Sequence, residues 1–304
     1  MNRAEWLEAR RQCITGTDIS AIIGLNKWSS AMNVFLDKLG LSKEKHENPA
    51  MQWGKILEPV IAARYEEETG SKLTKGEFII KGIYGGTPDY LSKSRLIEIK
   101  TAGQFTAHSW GEPGTDQVPE SYLCQVQWYM MLTDMQKADL AVLIGGNDYR
   151  VYHIIRNDDL ITLMTDAAET FWNKHIVTEV PPALDSSNGT KEYLESLYPK
   201  SRGTTIHATE QVADIAFVYH KLCKELKEVE EKKIGMENQL KYEIGDNDGI
   251  QHATFKSTWK ITKDIERINY ESLVKQLNIA PDLIKEFTVA KPGYRRFTFN
   301  YVGE

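Results

Sequence analysis

Apolar positions recur at helical spacing through much of the first half of the chain. Residues 2–11 set Ala4, Leu7 and Ala9 among charges, the pattern of a surface helix. A second helix is expected from Thr17, capped by Thr17 or Asp18, with Ile19, Ile22 and Ile23 as its apolar stripe. Residues 31–39 read as helix and stop at Gly40, and 41–51 read as a polar loop ending in Pro49. A strong helix is expected over 53–69, its buried stripe running through Ile56, Leu57, Val60, Ile61, Ala63, Arg64 and Tyr65 up to Gly70.

The period then changes to two. Phe78–Ile80, Ile83–Gly86, Pro88–Leu91 and Leu96–Lys100 read as a strand meander. Residues 118–133 return to helix. Ala138–Ile144 and Tyr149–Ile155 read as paired strands, and 157–175 as an amphipathic helix. The order α-β-β-β-α-β-β-α predicts helices layered on one mixed sheet, an α/β (α+β) core over 1–182. The remainder, 183–304, reads as an extension. It has an irregular crossing over 181–208, a long charged helix over Thr209–Ile244, and strands at 251–263 and 294–302 flanking a short helix at 270–287. On the long helix, Val212, Ile215, Val218, Leu222, Leu226, Val229, Lys233 and Met236 keep spacings of three and four, a seam suited to a hairpin or a partner. The tail Lys291-Pro292-Gly293-Tyr294-Arg295-Arg296-Phe297 interleaves basic and aromatic residues that suit a phosphate backbone or a plain surface strand.

Composition narrows the function classes. With 41% hydrophobic and 26% charged residues over 304 positions, the chain is expected to be globular rather than disordered. No stretch suits a membrane span, and MNRAEWLEARR lacks the apolar core of a signal peptide. Cys13, Cys124 and Cys223 are scattered, which suits a reducing cytoplasm and makes neither a disulfide framework nor a thiolate metal site. The formal net charge of −6 argues against a polycationic DNA coat but leaves room for a local basic groove.

Three constellations carry candidate chemistry. In Thr87-Pro88-Asp89-Tyr90 and Glu98-Ile99-Lys100, strand alternation puts Glu98 and Lys100 on one face and Ile99 on the other. A strand pair with a tight connection brings Asp89 beside Glu98. Two close carboxylates repel, and a divalent cation relieves the conflict. The same residues also suit a merely solvated strand face. On the 53–69 helix, Glu58 falls within the apolar stripe, where a buried carboxylate needs a metal or a polar partner. On the next helix, Tyr122, Gln125 and Tyr129 share a face. Trp53, Trp110 and Trp128 suit the core or base stacking, with the core favoured for Trp128. The loop carrying His108 and Trp110 is another segment able to approach DNA.

Taken in order, Arg10-x-x-x-Ile14-Thr15-Gly16-Thr17-Asp18-Ile19, Gly54…Glu58, Gly86-x-Pro88-Asp89, Glu98-Ile99-Lys100 and Tyr122-x-x-Gln125-Val126-Gln127 resemble phage recombination exonucleases of the lambda-exonuclease and YqaJ type. These form a branch of the PD-(D/E)XK nuclease superfamily, and the resemblance covers about residues 5–177. It implies a restriction-endonuclease-like core with a central mixed sheet flanked by helices. It implies that Asp89, Glu98 and the carbonyl of Ile99 hold Mg²⁺, with Mn²⁺ able to substitute, and that Glu58 completes a site of two ions. It further implies Lys100 as the catalytic lysine, Gln125 as a supporting catalytic residue with Tyr122 beside it, and Arg10, Thr17 and Thr87 as the grip on a 5′-terminal phosphate. The family often has Ser where this chain has Thr17, so the pocket gains a methyl group. A forked arginine and a helix start both suit an anion. The implied function is a 5′–3′ exonuclease on duplex DNA ends that leaves 3′ single strands for recombination by annealing. Its implied partners are a single-strand annealing protein of the RecT or beta type and further copies of itself, in a ring and commonly a trimer. Its implied setting is the cytoplasm of a bacterium carrying the phage or prophage. The rivals are a structure-specific or Cas4-like endonuclease, the latter disfavoured by having three cysteines rather than four, and a non-catalytic DNA-end-binding assembly protein.

Overall fold

Capping side chains set the helix starts of the first half. In the computed structural model, which describes residues 2–42, 48–264, 266, 268–289, 296–299 and 301, Asn2 and Glu5 form a reciprocal box at the start of α1 (Arg3–Arg11). α2 (Gly16–Ile22) begins one residue earlier than expected. Its N-cap is Thr15, and Asp18 lies inside the first turn, where its carboxylate accepts from Thr15 N at 2.9 Å. α3 (Ala31–Lys38) starts at Ser30. α4 (Pro49–Thr69) starts at Asn48 with Pro49 in its first turn and ends at left-handed Gly70, so the helix takes up the end of the expected polar loop. Residues 43–47 of that loop lie outside the described residues.

The strands follow in short pieces: β1 (Thr74–Lys75), β2 (Ile79–Lys81), β3 (Tyr84–Gly86), β4 (Tyr90–Leu91) and β5 (Leu96–Ala102). A 3-10 turn, Gln104–Ser109, leads to α5 (Glu120–Thr133). β6 (Lys137–Ile144), β7 (Asp148–Ile155) and α6 (Asp158–Phe171) complete the core, and a single π turn over Trp172–Ile176 ends it. The expected single sheet is two. The main sheet runs β1-β4-β5-β6-β7, while β2 and β3 form a separate hairpin. Within the main sheet only β5 and β6 are parallel, joined by the α5 crossover; the other neighbours are antiparallel.

Alternation on β5 and β6 divides the interior. Leu96, Leu140 and Val142 join the larger core with residues of α2, α3, α5 and α6. Ile97, Ile99 and Ala141 face Ile61, Ala62 and Tyr65 of α4. The stripe expected on α4 is therefore misplaced by part of a turn: Ile56 and Val60 are 58% and 59% exposed, and Ala62 is buried in their stead. Trp128 and Trp110 are core residues and Trp53 is exposed. Trp128 is anchored by its indole N–H to Gly85 O at 3.0 Å.

The chain divides into two units, Met1–Tyr198 and Pro199–Glu304. The boundary falls after the expected position at 182, because the stretch read as an irregular crossing contains α7 (Asn188–Leu197). Ser187 caps α7, and its hydroxyl accepts from Ser30, the cap of α3, at 2.9 Å.

In the second unit, α8 (Glu210–Ile244) starts at Thr209 as expected. The strand expected over 251–263 is instead a short hairpin, β8 (Gly249–Gln251) and β9 (Lys256–Thr258). The helix expected over 270–287 is split into α9 (Tyr270–Gln276) and α10 (Pro281–Glu286) by the Asn278–Pro281 turn, with Asn278 at φ 48°. Of the expected last strand, 296–299 and 301 are irregular; 294, 295, 300 and 302, like tail residues 291–293, lie outside the described residues. No described helix is long and apolar enough to cross a membrane.

Candidate active site

Strand register puts the two carboxylates together. β4 and β5 pair Tyr90 with Ile97, so the next pair outward is Asp89 and Glu98. Asp89 sits in the turn before β4, where its Oδ2 accepts from Ile99 N at 2.9 Å. Glu98 is 1% exposed. Its Oε1 accepts from Lys100 Nζ and, at 2.8 Å, from Gln125 Nε2. Its Oε2 is buried with no hydrogen-bond partner among the described residues. The expected alternation holds: Lys100 shares the face of Glu98, and Ile99 packs on the other side.

The electrostatics follow from burial. Glu98 is pushed up to about 8 by desolvation, with Asp89 adding like-charge repulsion against the pull of Lys100. Asp89 is raised for the same first reason, Lys100 and the Ile99 amide opposing it. Burial alone would lower Lys100, yet Glu98 and Asp89 together hold it above its ordinary value. The site therefore holds more carboxylate than one ammonium neutralises.

Gln125 also reaches Tyr129 Oη at 3.2 Å, and Lys100 Nζ lies 5.3 Å from the centroid of the Tyr122 ring. All three positions of the α5 face thus meet the carboxylate centre or its supports. Tyr129 in turn leans on bare backbone: a Cβ on Gly86 would lie 2.6 Å from Tyr129 Cε1. That close approach explains the glycine before Pro88-Asp89.

Glu58 does not stand where the sequence suggests. It is half-buried rather than buried, and its carboxylate pairs with Lys75 of β1. Lys75 also lies over the Tyr90 ring at 4.6 Å. Glu58 still acts on the centre electrostatically, raising both Asp89 and Glu98.

The test for a metal rests on these groups. Among the described residues no three His, Cys, Asp or Glu side chains converge as a ready cage. The orphaned Glu98 Oε2 and two mutually repelling carboxylates nevertheless fit Mg²⁺, which is typically held by one or two carboxylates plus water and phosphate.

A second cluster collects the residues of the opening motif. Arg10 Nη2 donates to Thr15 Oγ1 and Thr17 Oγ1, both at 3.3 Å, and lies 3.6 Å from Asp18 Oδ1. Arg10 is therefore not engaged with Glu5 or Glu8; it is Arg11 that pairs with Glu8, at 3.1 Å. The guanidinium lies 4.8 Å from the centroid of the Trp6 ring, and Trp6 Nε1 donates to Thr87 Oγ1 at 3.1 Å. Trp6 thus links Arg10, which holds Thr17, to Thr87, two residues from Asp89.

Sequence reasoning missed several members. Trp6 lies one helical turn before Arg10, a spacing that could have found it. Lys38 could not have been found by spacing. Its side chain is 0% exposed, and Nζ donates to Asp18 Oδ2 at 2.6 Å and to Arg10 O at 2.8 Å. Lys38 and Arg10 hold Asp18 below the usual carboxylate range against the opposing effect of burial. Asp18 also takes up the Thr15 amide, so the start of α2 offers an anion less backbone than expected.

Comparison with known proteins gives the family of the chain. The sequence model of the YqaJ-like viral recombinase domain matches residues 5–136. The uncharacterized protein YqaJ of Bacillus subtilis (strain 168) is 30% identical over 312 residues, spanning 98% of this chain and 94% of that protein. Among solved structures, the chain is similar to the alkaline exonuclease LHK-Exo from Laribacter hongkongensis, at 27% identity over 58% of this chain and 93% of that one, with a TM-score of 0.48. It is also similar to a phage related exonuclease from Haemophilus somnus 129PT, at 17% identity, 55% and 96% coverage and a TM-score of 0.45. On the match to the domain and the nearly full-length likeness to YqaJ, the chain belongs to the YqaJ-like viral recombinase family.

Proposed function

We propose that the chain is a Mg²⁺-dependent 5′–3′ exonuclease that resects duplex DNA ends in phage-type recombination. The observation that carries this reading is the meeting of Asp89, Glu98 and Lys100, with one carboxylate oxygen unpartnered, beside the Arg10–Thr17–Thr87 cluster. The membership of a viral recombinase family supports the biological class.

Asp89, Glu98 and the Ile99 carbonyl would hold the metal, with Glu58 available to a second ion once released from Lys75. Bound there, Mg²⁺ would polarise the scissile phosphate and lower the pKa of a bound water. The ammonium of Lys100 orients the attacking water and offsets negative charge on the phosphate. Gln125 fixes the Glu98 carboxylate, and Tyr122 lines the path of the Lys100 side chain. Arg10, with the hydroxyls of Thr17 and Thr87, receives the terminal phosphate and so sets direction. Mn²⁺ is an expected substitute. The product, a 3′ single strand, is the substrate of an annealing protein of the RecT or beta type. Self-association around DNA and a cytoplasmic setting belong to the same reading.

The test is nucleotide release from linear duplex compared with closed circular duplex, with and without Mg²⁺. Release from linear DNA alone is expected. Asp89→Ala, Glu98→Ala and Lys100→Ala should each abolish it while leaving the fold intact by circular dichroism. Near wild-type turnover in any one of them would overturn the site.

A further inference from the structure

The long helix of the second unit carries a heptad seam whose apolar side chains are largely exposed. Positions a are Val212, Tyr219, Leu226, Lys233 and Leu240; positions d are Ile215, Leu222, Val229 and Met236. The spacing of the seam holds from Val212 to Leu240, with Lys233 as its one charged position, and α8 is helical throughout it. At its centre Leu226 and Val229 are each 60% exposed. Among the described residues its first part meets the same chain: the ring of Tyr219 stands edge-on to Phe297 and Phe299, at 5.9 and 4.9 Å between centroids.

The flanking charges select the occupant. Positions g include Glu225 and Lys232, and positions e include Glu230 and Glu237. A parallel pair in register sets each g against e of the next heptad, so Glu225 meets Glu230 of the second copy while Lys232 meets Glu237; repulsion and attraction offset each other on the flanks, and Lys233 meets Lys233 in the seam. An antiparallel pair sets g against g and e against e. With Leu226 layered on Val229 of the second copy, Glu225 falls beside Lys232 of that copy, twice by symmetry. Lys233 then falls opposite Leu222, Cys223 opposite Glu230 and Ala216 opposite Glu237, and no like charges meet. Moving the antiparallel register by one heptad brings Glu225 against Glu225 in one direction and Lys232 against Lys232 in the other. One arrangement of a second copy therefore satisfies both the apolar seam and its charges.

We propose that α8 pairs with α8 of a second copy as an antiparallel coiled coil centred between Leu226 and Val229. The pair is two-fold symmetric, so it joins chains in twos whatever other contacts the first unit makes.

The test is sedimentation equilibrium of the full-length protein over a concentration series, using substitutions at exposed positions of α8. The wild type should contain an even number of copies, and Leu226→Glu with Val229→Glu should halve its mass. Glu225→Lys alone and Lys232→Glu alone should each weaken association about tenfold or more, since each turns two attractions into repulsions. The double exchange, Glu225→Lys with Lys232→Glu, should restore it. Circular dichroism of each variant should keep the wild-type helix signal. A monomeric wild type, a mass unmoved by Leu226→Glu with Val229→Glu, or a double exchange that fails to restore would overturn the proposal. So would stronger association in Glu225→Lys, the signature of a parallel pair.

Discussion

The indole N–H of Trp6 donates to Thr87 Oγ1 at 3.1 Å, tying the first helix to the turn that carries Asp89. The other face of the relationship is Arg10, whose guanidinium lies over the same ring. One side chain thus spaces the proposed phosphate grip from the proposed metal site.

Trp6→Phe tests that link. The ring over Arg10 is kept and the donor to Thr87 is lost. A hydrogen bond of this kind contributes about 1 kcal/mol net, roughly fivefold at about 1.4 kcal/mol per decade. The preference for 5′-phosphorylated over 5′-hydroxyl duplex should fall by about that factor. Rates on both ends measured side by side give the answer, and an unchanged ratio would remove Trp6 from the pocket.

Arg10→Ala should act more strongly in the same direction. A charge-assisted contact is worth about 1.5–3 kcal/mol, so digestion of 5′-phosphorylated duplex should slow about tenfold or more. Digestion of 5′-hydroxyl duplex should change little. Thr17→Val should give a smaller loss of the same kind. Equal slowing of both substrates would mean that Arg10 serves only the fold.

Metal binding should depend on pH through Glu98. Its folded value of about 8 lies above its ordinary value, so below pH 8 a proton competes with the cation. Apparent Mg²⁺ affinity should rise with pH up to about 8 and then level, with proton release in calorimetry. The same raised value gives the stability sign. The metal-free fold is favoured by the protonated form at low pH and loses that contribution as pH rises from the unfolded value through about 8. The metal-free melting temperature should decline across that window, and Glu98→Gln should flatten the decline. A flat wild-type profile would contradict the buried-carboxylate account.

Asp18 works with the opposite sign. Lys38 and Arg10 depress it, so its contribution is present above the ordinary carboxylate range and is lost as pH falls through the folded value. Lys38→Met, which leaves Asp18 buried without its closest cation, should destabilise by about 3–5 kcal/mol in urea denaturation. Adding Asp18→Asn should recover part of that loss. A Lys38→Met variant of wild-type stability would show that the pair is idle.

Glu58 is the residue whose role the structure changes most. Its ion pair with Lys75 must open before it can reach a cation. Glu58→Gln should therefore lower the rate in Mg²⁺ more than it lowers DNA affinity. Equal losses in a binding assay and a rate assay would instead assign Glu58 to holding β1 against α4.

Much of this protein is written locally. The period of 96–102 fixes which of Glu98, Ile99 and Lys100 share a face, because alternate side chains on a strand point to opposite sides. The heptad seam of α8 is legible for the same reason, since helical spacing alone generates it. The order of motifs identifies the family. What spacing cannot supply is contact between distant segments. The pairing of Tyr90 with Ile97 decides that Asp89 faces Glu98. The packing of α4 on Ile97, Ile99 and Ala141 turns Ile56, Val60 and Glu58 away from the core, although their local pattern points inward. Lys38 reads in sequence as an ordinary helix-end lysine. Only the fold seals it against Asp18 and the Arg10 carbonyl, because only the fold removes the water that would otherwise solvate its charge.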